Sequence, residues 1–204
     1  MKYINCIGDS HSSMLSGQNI IVPTEIWFTN GEFKIFHVGA VTAFNCKEKG
    51  FILDVCNSVP KDEFVLLSFG EIDMRCRVGL ADDKFENIEL IIKNYFEFID
   101  NIENKNIIIL GVTPCIIERP FEDWYDEDFT REFMFTATRG TLSQRNSYKN
   151  YFNNRVNEIC KEKGYIFIDF WNDVFDKKEL YKDDIHLNGE LSADIICNLI
   201  KSKK

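Results

Sequence analysis

Five short apolar runs, separated by longer amphipathic stretches, set the strongest limit on what this chain can fold into. They are Lys2–Ile7 (KYINCI), Gly31–Val38 (GEFKIFHV), Phe64–Phe69 (FVLLSF), Ile107–Val112 (IIILGV) and Tyr165–Phe170 (YIFIDF). Each has strand length, and most are apolar at odd and even positions alike. A strand of that kind must be covered on both faces, which is the condition of a parallel sheet between helix layers. The intervening segments carry helical spacing. Phe85–Ile102 places Ile88, Ile91, Ile92, Tyr95, Phe96 and Ile99 on one stripe. Ser143–Lys163 does so with Tyr148, Tyr151, Phe152, Val156 and Ile159, and Gly189–Lys201 with Leu191, Ile195, Ile196 and Leu199. Thr42–Val59 reads as helix broken by Gly50, and Asn30-Gly31 is a hairpin signal. Alternating strand and helix predicts an α/β fold, and right-handed crossovers reduce the topologies to a few doubly wound sheets.

The 204 residues suffice for one such domain, with 45% hydrophobic residues and 18 Phe to fill its core. A net charge of −9 repels phosphate backbones and anionic membrane, so no nucleic-acid partner is expected. No stretch approaches the roughly 20 apolar residues that span a bilayer, so no membrane insertion is expected, nor does MKYINCIGDS read as a signal peptide. The seven Cys are scattered, without metal spacing, and suit a reducing, cytoplasmic setting. No cofactor or metal is expected: no GxGxxG or GxxxxGK[ST] follows a strand. The whole of 1–204 reads as a single domain. Its least regular stretch, 113–141, is a candidate lid or substrate-side insertion, or else a surface excursion with a short helix. The oligomeric state is not written in these residues.

In a doubly wound sheet, ligands bind at the C-terminal strand ends. The first run ends in Gly8-Asp9-Ser10-His11, the second in Gly39, the third in Gly70-Glu71-Ile72-Asp73-Met74-Arg75. Near the C-terminus stands Lys182-Asp183-Asp184-Ile185-His186-Leu187-Asn188. Ser10 is either the cap of the next helix or a nucleophile. A nucleophilic serine needs a base, and the base needs a carboxylate to fix its tautomer. His186 with Asp183 three residues before it can supply both from one loop, with Asp184 as the competing acid. His11, adjacent to Ser10, points elsewhere from a helix start and suits a lining role better than that of a base. His37, inside a strand pattern, reads as a packed histidine.

These residues resemble the conserved blocks of the SGNH, or GDSL, hydrolase superfamily. INCIGDSHSSML looks like its first block, KDDIHLNGELSADII like its last, Gly39 in HVGAVTAF like the second-block glycine, and FGEIDMR like the third block. A GDSH first block with a GEID third block resembles a divergent subgroup, akin to proteins of bacterial surface-glycan pathways. The resemblance implies a flavodoxin-like three-layer α/β/α sandwich with a mainly parallel five-stranded sheet. It implies ester hydrolysis through an acyl-serine, on a small or carbohydrate-borne ester. Ser10 corresponds to the nucleophile, His186 to the base and Asp183 to its acid, while the N–H groups of Ser10 and Gly39 correspond to oxyanion donors. The family's third donor, an asparagine side chain, is replaced by Ile72. Arg75 is the candidate substitute, or else an ion-pair partner of Glu71 or Asp73. Glu71, Asp73, Asp9 and His11 are further candidate substrate-side residues. A sugar O-acyltransferase using the same three residues, and a glycan-binding member with weakened catalysis, are the competing readings.

Overall fold

The computed structural model describes residues 2–18, 27–116, 118, 140–183 and 185–203. Among them, six strands form one sheet in the order β2-β3-β1-β4-β5-β6. These are β1 (Ile4–Gly8), β2 (Trp27–Asn30), β3 (Phe33–His37), β4 (Phe64–Ser68), β5 (Ile107–Leu110) and β6 (Ile166–Ile168). All neighbours pair in parallel except β2 with β3.

The expected parallel α/β/α architecture is present, with one correction. The sheet has six strands rather than five, because Trp27–Asn30 adds an antiparallel edge. The hairpin signal at Asn30-Gly31 was the visible trace of it: Gly31 and Glu32 make the two-residue turn, with Gly31 at φ +56°. Its four residues alternate between exposed and half-buried. An edge strand has one solvated face, so it lacks the continuous apolar run of a covered strand.

The period of two in the strands sorts their side chains into two cores. Ile7, Val65, Leu67, Ile107 and Ile109 point to one face. That face is covered by α1 (Gly50–Ser58), α2 (Lys84–Asp100) and α3 (Leu142–Lys163). Ile4, Cys6, Leu66, Ile108 and Leu110 point to the other, against a short 3-10 helix (Ser10–Ser16) and α5 (Gly189–Lys203). A single-turn helix, α4 (Trp171–Val174), follows β6. Gly50 opens α1 instead of breaking a longer helix; a 3-10 turn at Cys46–Glu48 precedes it.

α2 starts at Asp83, whose Oδ1 accepts from Phe85 and Glu86 N–H, and buries every residue expected of its apolar stripe. α3 starts at a capping box between Thr141 and Gln144 and ends at Gly164 in the left-handed region, φ +73°.

Two helix faces differ from the pattern. α3 turns Arg145, Lys149, Asn153, Val156 and Cys160 fully inward, while Tyr148, Tyr151 and Ile159 are half-buried. α5 buries Ser192, Ala193, Ile196, Cys197 and Ile200, leaving Leu191 53% exposed. The reason is proximity. A Cβ at Gly189 would stand 2.3 Å from the Gln18 carbonyl oxygen, just past the 3-10 helix, so no side chain fits where α5 begins. The seven Cys are free thiols, six of them buried. Among the described residues no helix is long and apolar enough to cross a membrane. Most of the 113–141 stretch, residues 117 and 119–139, lies outside the described residues.

Candidate active site

The site is built where β1, β3 and β4 end together. Gly8 closes β1 and has no room for a side chain: a Cβ would lie 2.4 Å from the Ser68 carbonyl oxygen. The chain then turns into the 3-10 helix. Its cap is Asp9, whose carboxylate accepts the His11 N–H at 2.9 Å. Asp9 therefore takes the capping role that was one reading of Ser10, and the Ser10 hydroxyl is left for another partner.

That partner is 176 positions away. Ser10 Oγ is 2.9 Å from His186 Nε2, and His186 Nδ1 is 2.9 Å from Asp183 Oδ2. A carboxylate only accepts, so Nδ1 carries the proton and Nε2 presents a lone pair to the serine O–H. The other Asp183 oxygen accepts the backbone N–H of Ile185 (2.9 Å) and of His186 (2.7 Å). The aspartate thus folds the loop around itself. A bridge between Tyr181 and Leu187 and the bond from Lys182 N to His186 O (2.8 Å) close it. Partial burial works against charge on Asp183, but the His186 ring and the two N–H groups outweigh it and hold the carboxyl well below the usual range. Asp184, the competing acid, lies outside the described residues.

Two backbone N–H groups stand in the loops at this same end of the sheet. Those of Ser10 and Gly39 donate to no acceptor among the described residues. Gly39 follows β3 with φ +87°, a conformation that favours glycine. Its loop is anchored by Asp73, which accepts from Ala43 N–H at 2.6 Å and Phe44 N–H at 3.3 Å.

The buried acids and His11 correct an expectation. Asp9 and Asp73 are 0% exposed, Glu71 2% and His11 6%, so they support the site from behind rather than lining a substrate channel. Asp73 is a loop anchor. Glu71 is the centre of a buried charge cluster, with Lys149 Nζ at 2.9 Å, an Arg75 guanidinium nitrogen at 3.5 Å and His11 Nε2 at 3.6 Å. Burial works against charge on Glu71, and the Lys149, Arg75 and His11 cations outweigh it, holding the carboxyl well below its usual range. Of the roles open to Arg75, the ion pair with Glu71 is present; Arg77 is the cation nearer Asp73, at 4.0 Å. Ile72, at the position of the absent asparagine, is buried. His37 is packed inside the sheet, as its strand pattern implied.

A cavity of about 10 Å³ lies beside His11, lined among others by Asp9, Ser68, Glu71 and Thr113. It has room for about one water and none for an acyl group. Ser10 and His186 do not line it.

Lys149 went unnoticed in the sequence. It is buried on α3, and its ammonium also donates to Thr113 O at 2.8 Å. A signal was present: Arg145, Lys149 and Asn153 recur every four residues, a polar row on a helix that must face the sheet. Asn153 uses both ends of its amide on Val112, accepting its N–H at 2.8 Å and donating to its carbonyl at 3.1 Å.

Comparison with solved structures places this architecture. A member of the lipolytic G-D-S-L family from Veillonella parvula superposes over 99% of this chain and 97% of its own, with TM-score 0.60 and 14% identity. The chain has the GDSL hydrolase fold. An acetylxylan esterase from Geobacillus stearothermophilus, solved as a catalytic serine-to-alanine variant, matches over 98% of this chain and 94% of its own. Its TM-score is 0.58 and its identity 14%. A lipase/acylhydrolase from Enterococcus faecalis matches over 98% and 93%, at TM-score 0.57 and 13% identity. No protein-family model and no curated protein matches the sequence. At this identity the GDSL fold is shared, and the chemistry has to be argued from the side chains.

The loop anchor carries a pH prediction. Burial pushes the Asp73 carboxyl up to about 7, against the pull of its two N–H donors and Arg77. An unfolded aspartate titrates near 3.9. Between those values the folded chain holds a proton that the unfolded chain releases, so stability falls as pH rises. The slope approaches about 1.4 kcal/mol per pH unit. The melting temperature is expected to decline between pH 5 and 6.5, and the decline to flatten in Asp73→Asn. An equal slope in both proteins refutes it.

Proposed function

We propose that this chain is a serine ester hydrolase of the acylesterase type, acting through an acyl-serine intermediate. One observation carries the reading: the continuous hydrogen-bonded path Ser10–His186–Asp183, assembled from the two ends of the chain at the C-terminal edge of the sheet. In this reading His186 Nε2 takes the Ser10 proton as Oγ attacks the ester carbonyl. The N–H groups of Ser10 and Gly39 receive the developing oxyanion. His186 returns the proton to the leaving alcohol, and a water activated by the same nitrogen releases the acid. Asp183 keeps the imidazole in the required tautomer and stabilises its charged form. The third oxyanion donor is missing at Ile72, and loss of one donor costs on the order of 100- to 1,000-fold in turnover. This chain is therefore assigned a modest rate on activated esters.

A small acyl group on a carbohydrate is the substrate class we assign, supported by the shared fold with an acetylxylan esterase whose serine and histidine variants are both described as catalytic. The test is labelling of the intact chain with a fluorophosphonate, read by peptide mapping, beside acetate release from para-nitrophenyl acetate and from an acetylated xylo-oligosaccharide. The expected result is one adduct, on Ser10, and acetate from both esters. No adduct, or one elsewhere, overturns the nucleophile. Acetate from the nitrophenyl ester alone overturns the carbohydrate assignment and leaves the nucleophile standing.

A further inference from the structure

The mechanism above leaves His11 unused, although it is the residue next to the nucleophile. Its side chain turns away from Ser10 into the protein. Nδ1 is 3.2 Å from Asp9 Oδ1. Nε2 is 3.2 Å from the Ile185 carbonyl oxygen and 3.6 Å from Glu71 Oε2. Every group facing a ring nitrogen is thus an acceptor. A neutral imidazole has one N–H and would set its remaining lone pair against a carboxylate or a carbonyl. Only the doubly protonated ring satisfies both sides. The surrounding charges agree. Burial works against an imidazolium, but Glu71 and Asp9 outweigh burial and the opposing Arg75, and His11 is raised from the ordinary histidine value.

The same ring touches the proposed base twice over. It stacks on the His186 ring, with centroids 4.6 Å apart and planes 21° from parallel. It also donates to the carbonyl of Ile185, the residue immediately before His186. His186 is therefore held from three directions: Asp183 on Nδ1, Ser10 on Nε2, and His11 against its face and its backbone.

We propose that His11 is a positioning residue for the hydrolysis, a standing imidazolium that grips the Ile185 carbonyl and backs the His186 ring so that Nε2 stays on Ser10. The inference rests on the serine-hydrolase reading. It removes His11 as a rival base, since a ring with both nitrogens protonated has no lone pair to offer Ser10. The charged groups that set its state are Asp9 on its own turn, Glu71 and Arg75 from the segment after β4, and, through Glu71, Lys149 on α3.

Two measurements test it. The first is the ring-nitrogen spectrum of the ¹⁵N-labelled full chain at pH 7.5. Only three histidines are present, so variants His37→Gln and His186→Ala assign the remaining signals to His11. The expected spectrum shows both His11 nitrogens protonated, above the pH where a free histidine is mostly neutral. A neutral tautomer for His11 overturns the proposal. The second is turnover per fluorophosphonate-titrated site in His11→Ala and His11→Phe. A misplacement on the scale of an ångström can cost about 100-fold. His11→Ala is expected to lose 10- to 100-fold in kcat per titrated site with KM within about threefold. His11→Phe, which keeps the stacked ring, is expected to recover part of that loss. Unchanged kcat per titrated site, with only a lower melting temperature or a smaller titratable fraction, means a structural role and overturns the positioning claim. Absence of labelling in the unsubstituted protein overturns the hydrolase reading and the positioning role with it, while the ring-nitrogen spectrum still settles the charge state of His11.

Discussion

Ser10→Ala is expected to lower the turnover of an activated ester by about 10⁴-fold or more. The substitution removes one hydroxyl, bonded to His186 Nε2 at 2.9 Å, and leaves the cap on Asp9 untouched. The stability change is therefore on the order of 1 kcal/mol, the net worth of one hydrogen bond. Loss of activity with retained melting temperature separates a nucleophile from a residue that merely holds the turn. The second half of the expectation is non-additivity. Residues that act as a unit cannot be lost twice. His186→Ala made in the Ser10→Ala background should cost less than about tenfold more, although alone it costs nearly as much as Ser10→Ala. Turnover above a tenth of normal in Ser10→Ala excludes the acyl-serine route. Full, multiplying losses in the double variant mean that the two side chains act separately.

The largest stability effect is expected at Lys149→Met. The substitution keeps the aliphatic volume and removes the ammonium that donates to Glu71 Oε1 and Thr113 O. Glu71 is then left in the interior with Arg75 and His11 at longer range. Breaking a buried pair on one side costs about 3–5 kcal/mol, because the surviving charge has lost its partner but not its desolvation. For a chain of this size, each kcal/mol moves the midpoint by about 2–4 °C. The expected fall is roughly 6–20 °C at pH 7. Adding Glu71→Gln neutralises the stranded carboxylate and should return part of it. The acid limb gives an independent check. Glu71 is depressed in the folded state, so its contribution is present above the ordinary carboxylate range and is lost as pH falls below about 4.3. Lys149→Met, lacking the main source of that depression, should lose less stability on acidification than the unsubstituted chain. A midpoint within 2 °C of normal at pH 7 refutes the buried-pair account.

The way each element was or was not legible follows from how far away its partners lie. Strands β1, β4 and β5 could be read because near-complete burial on both faces leaves runs dominated by apolar residues, with Asn5 and Ser68 as the polar exceptions. α2 could be read because its stripe is wide, apolar and packed against one sheet face. The edge strand β2 left only its turn as a trace, since four residues with one solvated face have no distinctive composition. The inward faces of α3 and α5 differ from their apolar stripes for opposite reasons. α3 must turn Lys149 and Asn153 inward to satisfy Glu71, Thr113 and Val112, groups from other elements. α5 begins so close to Gln18 that Gly189 has no room for a side chain, and the face it buries is that of Ser192, Ala193, Ile196, Cys197 and Ile200, with Leu191 outward. Periodicity reports which residues dislike water. It carries no information on which neighbour is near enough to exclude a large side chain or to pair a charge.

The same division runs through the site. The sequence by itself determined the scaffold and brought Ser10, Asp183 and His186 forward as candidates, with Asp184 still competing as the acid, because strand periodicity and the spacing of Asp183 to His186 are local properties. It also determined that no side-chain amide stands at position 72. Only the tertiary structure decided that Asp9, not Ser10, caps the turn. Only it showed that Asp73 anchors the Gly39 loop, and that Glu71 binds Lys149 as well as Arg75. Only it brought His11 face to face with His186. A hydrogen-bond partner is chosen by distance and direction, and both are set when strands 60 residues apart in the chain come into register, as Asn5 does with Val65, its side-chain amide then donating to the Phe64 carbonyl.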